Sequence, residues 1–205
     1  MARARLLAPI LALAAAALLL AARPQGDEKE GPASLAGQFL IAAPDMGDPR
    51  FAETVILMVH HDETGAFGIV INRPVETRSL ASLLEALGDK DPSAKGDVQI
   101  YAGGPVEPAI GFVVHSAEYR RAGTLAIDGQ VAVTSNPEVL RDMGAGKGPA
   151  QSLVAFGYAG WGPGQLENEL AQHAWFTEPE DPKLVFDPDR ADLWKKALDR
   201  RDRAL

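Results

Sequence analysis

From residue 37 onward the chain alternates short apolar runs with turn-forming residues, a pattern that predicts strands. Gly37 to Ala43 (GQFLIAA) is the first run, closed by Pro44. Thr54 to His60 (TVILMVH) and Ala66 to Asn72 (AFGIVIN) follow, joined by His61 to Gly65 as a hairpin with a five-residue loop. Val55, Leu57 and Val59 interleave with Ile56 and Met58, so this strand is apolar on both faces and needs a covering layer on each. Leu80, Leu83, Leu84 and Leu87 recur at i, i+3, i+4 and i+7, which predicts an amphipathic helix over 78–87 stopped by Gly88. Strands are then expected at Val98 to Ala102 and Gly111 to Ser116, on either side of the turn Gly103-Gly104-Pro105, and at Val131 to Thr134. Asn136-Pro137-Glu138 has the capping side chain, the first-turn proline and the acidic residue of a helix start. Gln151 to Ala159 reads as a strand and Gln165 to Gln172 as a helix. The last helix, over 189–205, carries Leu193, Trp194, Ala197 and Leu198 on one stripe. One α+β domain over 34–205 results.

The first 33 residues follow other rules. Arg3 and Arg5 precede an apolar run from Leu6 to Ala22, the order of an export signal. Seventeen residues is long for the apolar part of such a signal and short of the roughly 20 that span a bilayer. Leu20 stands where cleavage after Ala22 wants a small side chain. A cleaved signal, a retained anchor and an overlong start all remain open. Export or anchoring places the domain outside the cytoplasm, and the third reading places it inside. Residues 23–33 form a polar linker.

Composition narrows the chemistry. With 46% hydrophobic and 23% charged residues, the chain of 205 residues is an ordinary globular protein. Its 20 basic and 28 acidic residues give −8, and setting aside residues 1–22, with their two arginines, leaves −10. Nucleic-acid binding is disfavoured, because phosphate contacts need clustered Lys and Arg. The absence of cysteine removes disulfides, Cys-ligated metals and thiol nucleophiles.

Four stretches invite a chemical reading. His60-His61-Asp62-Glu63 contains metal-ligand types, but neighbouring strand residues point to opposite faces, so the two imidazoles do not meet one ion. His115-Ser116 pairs a base with a hydroxyl without an acid, an oxyanion donor or a nucleophile turn. Residues 142–148 (DMGAGKG) fail the phosphate-loop pattern at both ends and read as a helix cap. Gly157 to Glu169 (GYAGWGPGQLENE) is the most informative: four glycines let chain or ligand approach closely, and Trp161 at the tip is either a flat docking surface or packed inward over a tight corner. Glu167 and Glu169 already complement the helix start there, which argues against an anion site.

Leu35 to Pro74, Tyr101 to Ser116 (YAGGPVEPAIGFVVHS), Phe156 to Leu170 (FGYAGWGPGQLENEL) and Leu184 to Leu198 together resemble the AlgH/YqgE family over nearly the whole chain after Ser34. The resemblance implies a mixed, bent β-sheet forming a pseudo-barrel with flanking helices. It implies no reaction, cofactor or metal; the family's label, transcriptional regulator, is tied to alginate production. Two departures stand out: the family commonly has Asn where this chain has His173, and residues 1–34 are foreign to its usual cytoplasmic pattern. Matched positions fall in loops, where binding residues concentrate. The expectation is a non-enzymatic regulatory or adaptor protein that binds a protein or small ligand through Asn72, His115, Tyr158, Trp161, Gln165 and Glu167. The alternatives are a hydrolase using His115 with Asn72 or Glu167, and the DNA-binding regulator of the label. A membrane contact is expected only through residues 1–22.

Overall fold

The computed structural model describes residues 34–89 and 93–204. The expected export or anchor segment and its linker lie outside them, and among the described residues no helix is long and apolar enough to cross a membrane.

Ten strands and five helices alternate along the chain: β1 (Gln38–Ala42), β2 (Val55–Asp62), β3 (Gly65–Val70), β4 (Pro74–Ser79), α1 (Leu80–Ala86), β5 (Asp97–Ala102), β6 (Val106–Ser116), β7 (Leu125–Ala126), β8 (Val131–Thr134), α2 (Glu138–Gly144), β9 (Ser152–Trp161), α3 (Gln165–Ala171), β10 (Trp175–Pro179), α4 (Pro182–Val185) and α5 (Leu193–Ala204). The strands pair in the order β10-β1-β2-β3-β9-β6-β8-β7, with β5 parallel to the first half of β9 and β4 beyond β5. Every other pairing is antiparallel, and the sheet curls into the expected half-barrel with flanking helices.

The two-sided strand reading is borne out. Val55, Leu57 and Val59 face the inner core with Phe39, Ile41, Val114 and Leu153, where Leu193 and Ala197 of α5 join them. Ile56 and Met58 face a second core with Leu40, Trp161, Leu166 and Trp175 under α3. A third cluster joins Leu80, Leu83 and Leu84 of α1 and Val139 and Leu140 of α2 to β5, β6 and β9. Ser79 caps α1 by accepting from the Ser82 N–H, and Asn136 accepts from the Glu138 N–H at 3.0 Å, as its side chain suggests.

Some boundaries differ. The β2–β3 hairpin is tighter than expected, because Asp62 pairs with Gly65 and leaves a two-residue turn in which Asp62 Oδ1 accepts from the Thr64 N–H. β4 continues where Pro74 signals a stop, since proline is tolerated at a strand's first residue. β6 starts five residues earlier than its apolar run.

The glycines of the two signature stretches meet at one crossing. The β5–β6 turn passes over β9 so closely that a Cβ on Gly104 lies 2.1 Å from the Tyr158 carbonyl carbon, and one on Gly103 lies 2.3 Å from the Gly157 oxygen. Gly103 N–H donates to the Phe156 carbonyl at 2.7 Å, and its own carbonyl accepts from Val70 at 2.8 Å. Close approach of chain to chain accounts for these positions.

Candidate functional site

A bulge in β2 and a left-handed glycine in β9 aim the side chains of the site. In β2 the register with β3 shifts between Met58 and His60. Before the shift odd residues face the inner core; after it, exposed His60 lies beside Phe67, 6.2 Å between ring centres, while His61 turns under α3. In β9 Gly157, at φ +75°, does the same: Leu153 and Ala155 face inward before it, and Tyr158 faces that side after it. Trp161 is thereby sent to the α3 side.

The outcome is an open groove of about 580 Å³ lined by His60, Phe67, Val106, Phe112, Tyr158 and Trp161. Tyr158 sits edge-on to Phe67 (5.8 Å) and Phe112 (6.1 Å), and the two phenylalanines are 6.5 Å apart. All three rings are half-buried. A second groove of about 340 Å³ continues past Val106, Gly160 and Trp161 to Met46, Arg50, Phe51, Gln165 and Trp175. Phe67 and Phe112 escape the sequence reading, because inside apolar strand runs they look like ordinary core; Val106 falls before the expected strand, and His60 is weighed there only as a metal ligand. The signal that marks them is the pair of face changes, which leaves no trace in hydropathy.

Trp161 is packed inward, 7% exposed, so the reading of it as a flat exposed surface is corrected. Its indole N–H donates to Glu169 Oε2 at 2.9 Å, and that oxygen also accepts from the Trp175 indole at 2.8 Å. The two indoles meet edge-to-face at 6.1 Å. Gln165 stands between groove and helix, donating to Glu169 Oε1 at 2.9 Å and accepting from the Gly162 N–H at 3.2 Å. Glu167 accepts from buried His61 Nε2 at 2.7 Å. The tautomer follows, because His61 Nδ1 accepts from the Leu35 N–H at 3.0 Å and the ring proton is left on Nε2. This hydrogen bond, first among its causes, holds the Glu167 carboxyl below the usual range. His61 therefore ties the start of the domain to α3. His173 follows α3 at φ +59°, a left-handed position that Asn and Gly fill with least strain, which explains the family's usual Asn.

Asn72 and His115 lie elsewhere. Asn72 Oδ1 accepts from the Val55 N–H and its Nδ2 donates to the Glu53 carbonyl, both at 2.9 Å. It fastens a turn in which Glu53 takes φ +56°. His115 is fully buried in β6, its Nδ1 3.0 Å from the Ser116 carbonyl and its ring edge-on to Tyr119. Its Nε2 meets no partner among the described residues. Ser116 Oγ donates to Glu118 at 2.9 Å. The hydrogen-bond partners of Asn72, His115 and Glu167 do not overlap, and none of the three lines either groove. No group of three or more metal-ligating side chains occurs among the described residues, and His60 and His61 point apart as alternation requires.

Comparison with known proteins gives a consistent result. A UPF0301 protein of Sphingopyxis alaskensis is 44% identical over 167 residues, 82% of this chain and 89% of that one. A UPF0301 protein of Pseudomonas putida is 48% identical over 157 residues, 76% of this chain and 82% of its own. The solution structure of AlgH from Pseudomonas aeruginosa matches with a TM-score of 0.71 at 43% identity, covering 82% of this chain and 89% of that chain. A Corynebacterium diphtheriae protein, 23% identical with a TM-score of 0.63, shares the fold. The AlgH-like sequence profile matches residues 39–204, and the chain belongs to the AlgH-like family.

Proposed function

We propose that this chain is a non-enzymatic docking protein of regulatory or adaptor type, and that the aromatic groove receives an apolar side chain of a partner protein or a small ligand. The observation that carries this reading is the trio Phe67, Phe112 and Tyr158, half-buried and within 6.5 Å of one another between ring centres in an open groove. Monomeric proteins seldom leave such an aromatic patch uncovered, and aromatic side chains dominate the energetics of interfaces. Of the six residues expected from sequence, Tyr158, Trp161 and Gln165 line the grooves, Glu167 braces the helix behind them, and Asn72 and His115 serve the scaffold. The disjoint surroundings of His115, Asn72 and Glu167 weigh against the hydrolase reading. The −10 charge weighs against a DNA-binding regulator. The basic-then-apolar start favours export or anchoring, in which case the partner shares that compartment.

Photo-crosslinking in the cell tests the reading. A photoreactive residue at Val106 is expected to give one discrete adduct that disappears with Tyr158→Ala. The same probe at Glu85 on α1 is expected to give none. A smear, or an adduct indifferent to Tyr158, removes the groove from the binding site.

A further inference from the structure

β4 stands out because all six of its residues are exposed, Val75 to 64%, while among the described residues its only strand partner is β5. β5 joins β9 on its other side, so β4 is an edge strand of the sheet, and such an edge offers unpaired N–H and C=O groups to another strand. Proteins guard such edges with charge, and β4 carries Glu76 and Arg78. These are opposite charges two residues apart on one face, joined at 3.1 Å within the strand, with Thr77 between them. That arrangement repels a generic strand poorly and fits one particular strand well, namely its own copy run antiparallel.

We infer that β4 pairs with β4 of a second copy about a two-fold axis through Thr77. In that register Glu76 faces the partner's Arg78 and Arg78 the partner's Glu76, giving two reciprocal cross-strand ion pairs. Thr77 faces its own copy, and the irregularity of β4 between Pro74 and Glu76 ends the paired stretch on that side. Pro74, which has no N–H to give, falls outside it. β4 contributes no side chain to either groove, so the pairing uses none of the groove-lining residues.

The natural absence of cysteine makes a register-specific test clean in the full-length chain. Thr77→Cys puts the thiol opposite its own copy, about 5 Å away between Cα atoms, and mild oxidation is expected to give a disulfide-linked dimer. Ser79→Cys puts the two thiols about 13 Å apart along the strands, beyond bridging distance, and is expected to give none. Adding Glu76→Arg to Thr77→Cys sets arginine against arginine and is expected to slow cross-linking about tenfold or more. The further change Arg78→Glu restores opposite charges and is expected to restore the rate. The inference is overturned if Thr77→Cys stays monomeric, if Ser79→Cys cross-links as readily, or if the charge swap restores nothing. Unchanged circular dichroism in every variant shows that the fold has survived.

Discussion

Glu169 satisfies three donors with two oxygens: both indoles on one, Gln165 on the other. The indoles it holds are 7% and 3% exposed, so their N–H groups have little water to turn to. Glu169→Ala leaves two buried donors unpaired, at about 1–3 kcal/mol for such a group. The summed loss is expected to be about 2–6 kcal/mol, a fall in Tm of roughly 4–24 °C. Trp161 and Trp175 fluorescence is expected to shift to the red as water reaches the rings. Glu169→Gln keeps one acceptor oxygen and is expected to lose less than half as much. If Glu169→Ala keeps the wild-type Tm while groove cross-linking is lost, the carboxylate contacts the partner and is no internal clamp. At this scale the sequence is a partial guide. It marks Trp161, Gln165 and Glu167 as a group, and shows by alternation that His60 and His61 diverge. It does not show that a carboxylate eight residues after Trp161 pulls the indole inward, because that depends on where α3 lies.

Elements were legible wherever burial sets a simple period. Alternation in the first half of β2 and the leucine spacing of α1 lead directly to the cores they fill. Three kinds of feature were not legible. β4 buries nothing and so has no pattern; β10 starts at Trp175, straight after the loop that closes α3; and the bulge at Met58–His60 and the left-handed Gly157 exchange the faces partway along a strand. Carried unbroken through β9, alternation puts Trp161 on the inner face and Tyr158 on the outer one, the reverse of what is observed. The glycine motifs are visible in sequence, but their purpose becomes clear only from the crossing. Gly104→Ala drives a Cβ into the Tyr158 backbone, where no side chain can yield, and is expected to destabilise by more than about 4 kcal/mol or prevent folding. Gly162→Ala meets nothing within 4 Å and is expected to stay within about 0.5 kcal/mol of wild type. Urea denaturation of both decides the matter: similar midpoints would mean that the crossing tolerates side chains, and that the signature glycines serve a ligand.

At the scale of the whole molecule, the ends of the strand order come together. Ile127, just after β7, packs on the inner core and lies 3.5 Å from the space a Cβ on Gly37 would fill. The Glu180 N–H, just after β10, donates to the Gly37 carbonyl at 3.1 Å. The curl is thus closed by side chains and one hydrogen bond where no ladder joins β7 to β10, and two carboxyls meet at the closure. Asp128 already accepts from the Gln130 and Val131 N–H groups, and neither oxygen of Glu180 meets a donor among the described residues. A proton shared with Asp128 makes that contact attractive. Burial first, then the hydrogen bond to Asp128 and the charges of Asp128 and Asp181, push the Glu180 carboxyl up to about 8, with Arg200 opposing. A folded-state value above the unfolded one means that the native state holds the proton more tightly. The stabilisation is therefore complete below about pH 4.5 and lost as pH rises through about 8. Because Glu180 is only half-shielded, the expected loss between pH 6 and 9 is about 1–2 kcal/mol. Glu180→Gln keeps the shape, supplies a donor for Asp128 without titrating, and is expected to flatten that decline. Thermal melts of wild type and Glu180→Gln across pH 6 to 9 isolate the effect, since every other titrating group is common to both. Parallel curves would assign the closure to Ile127 and the backbone alone.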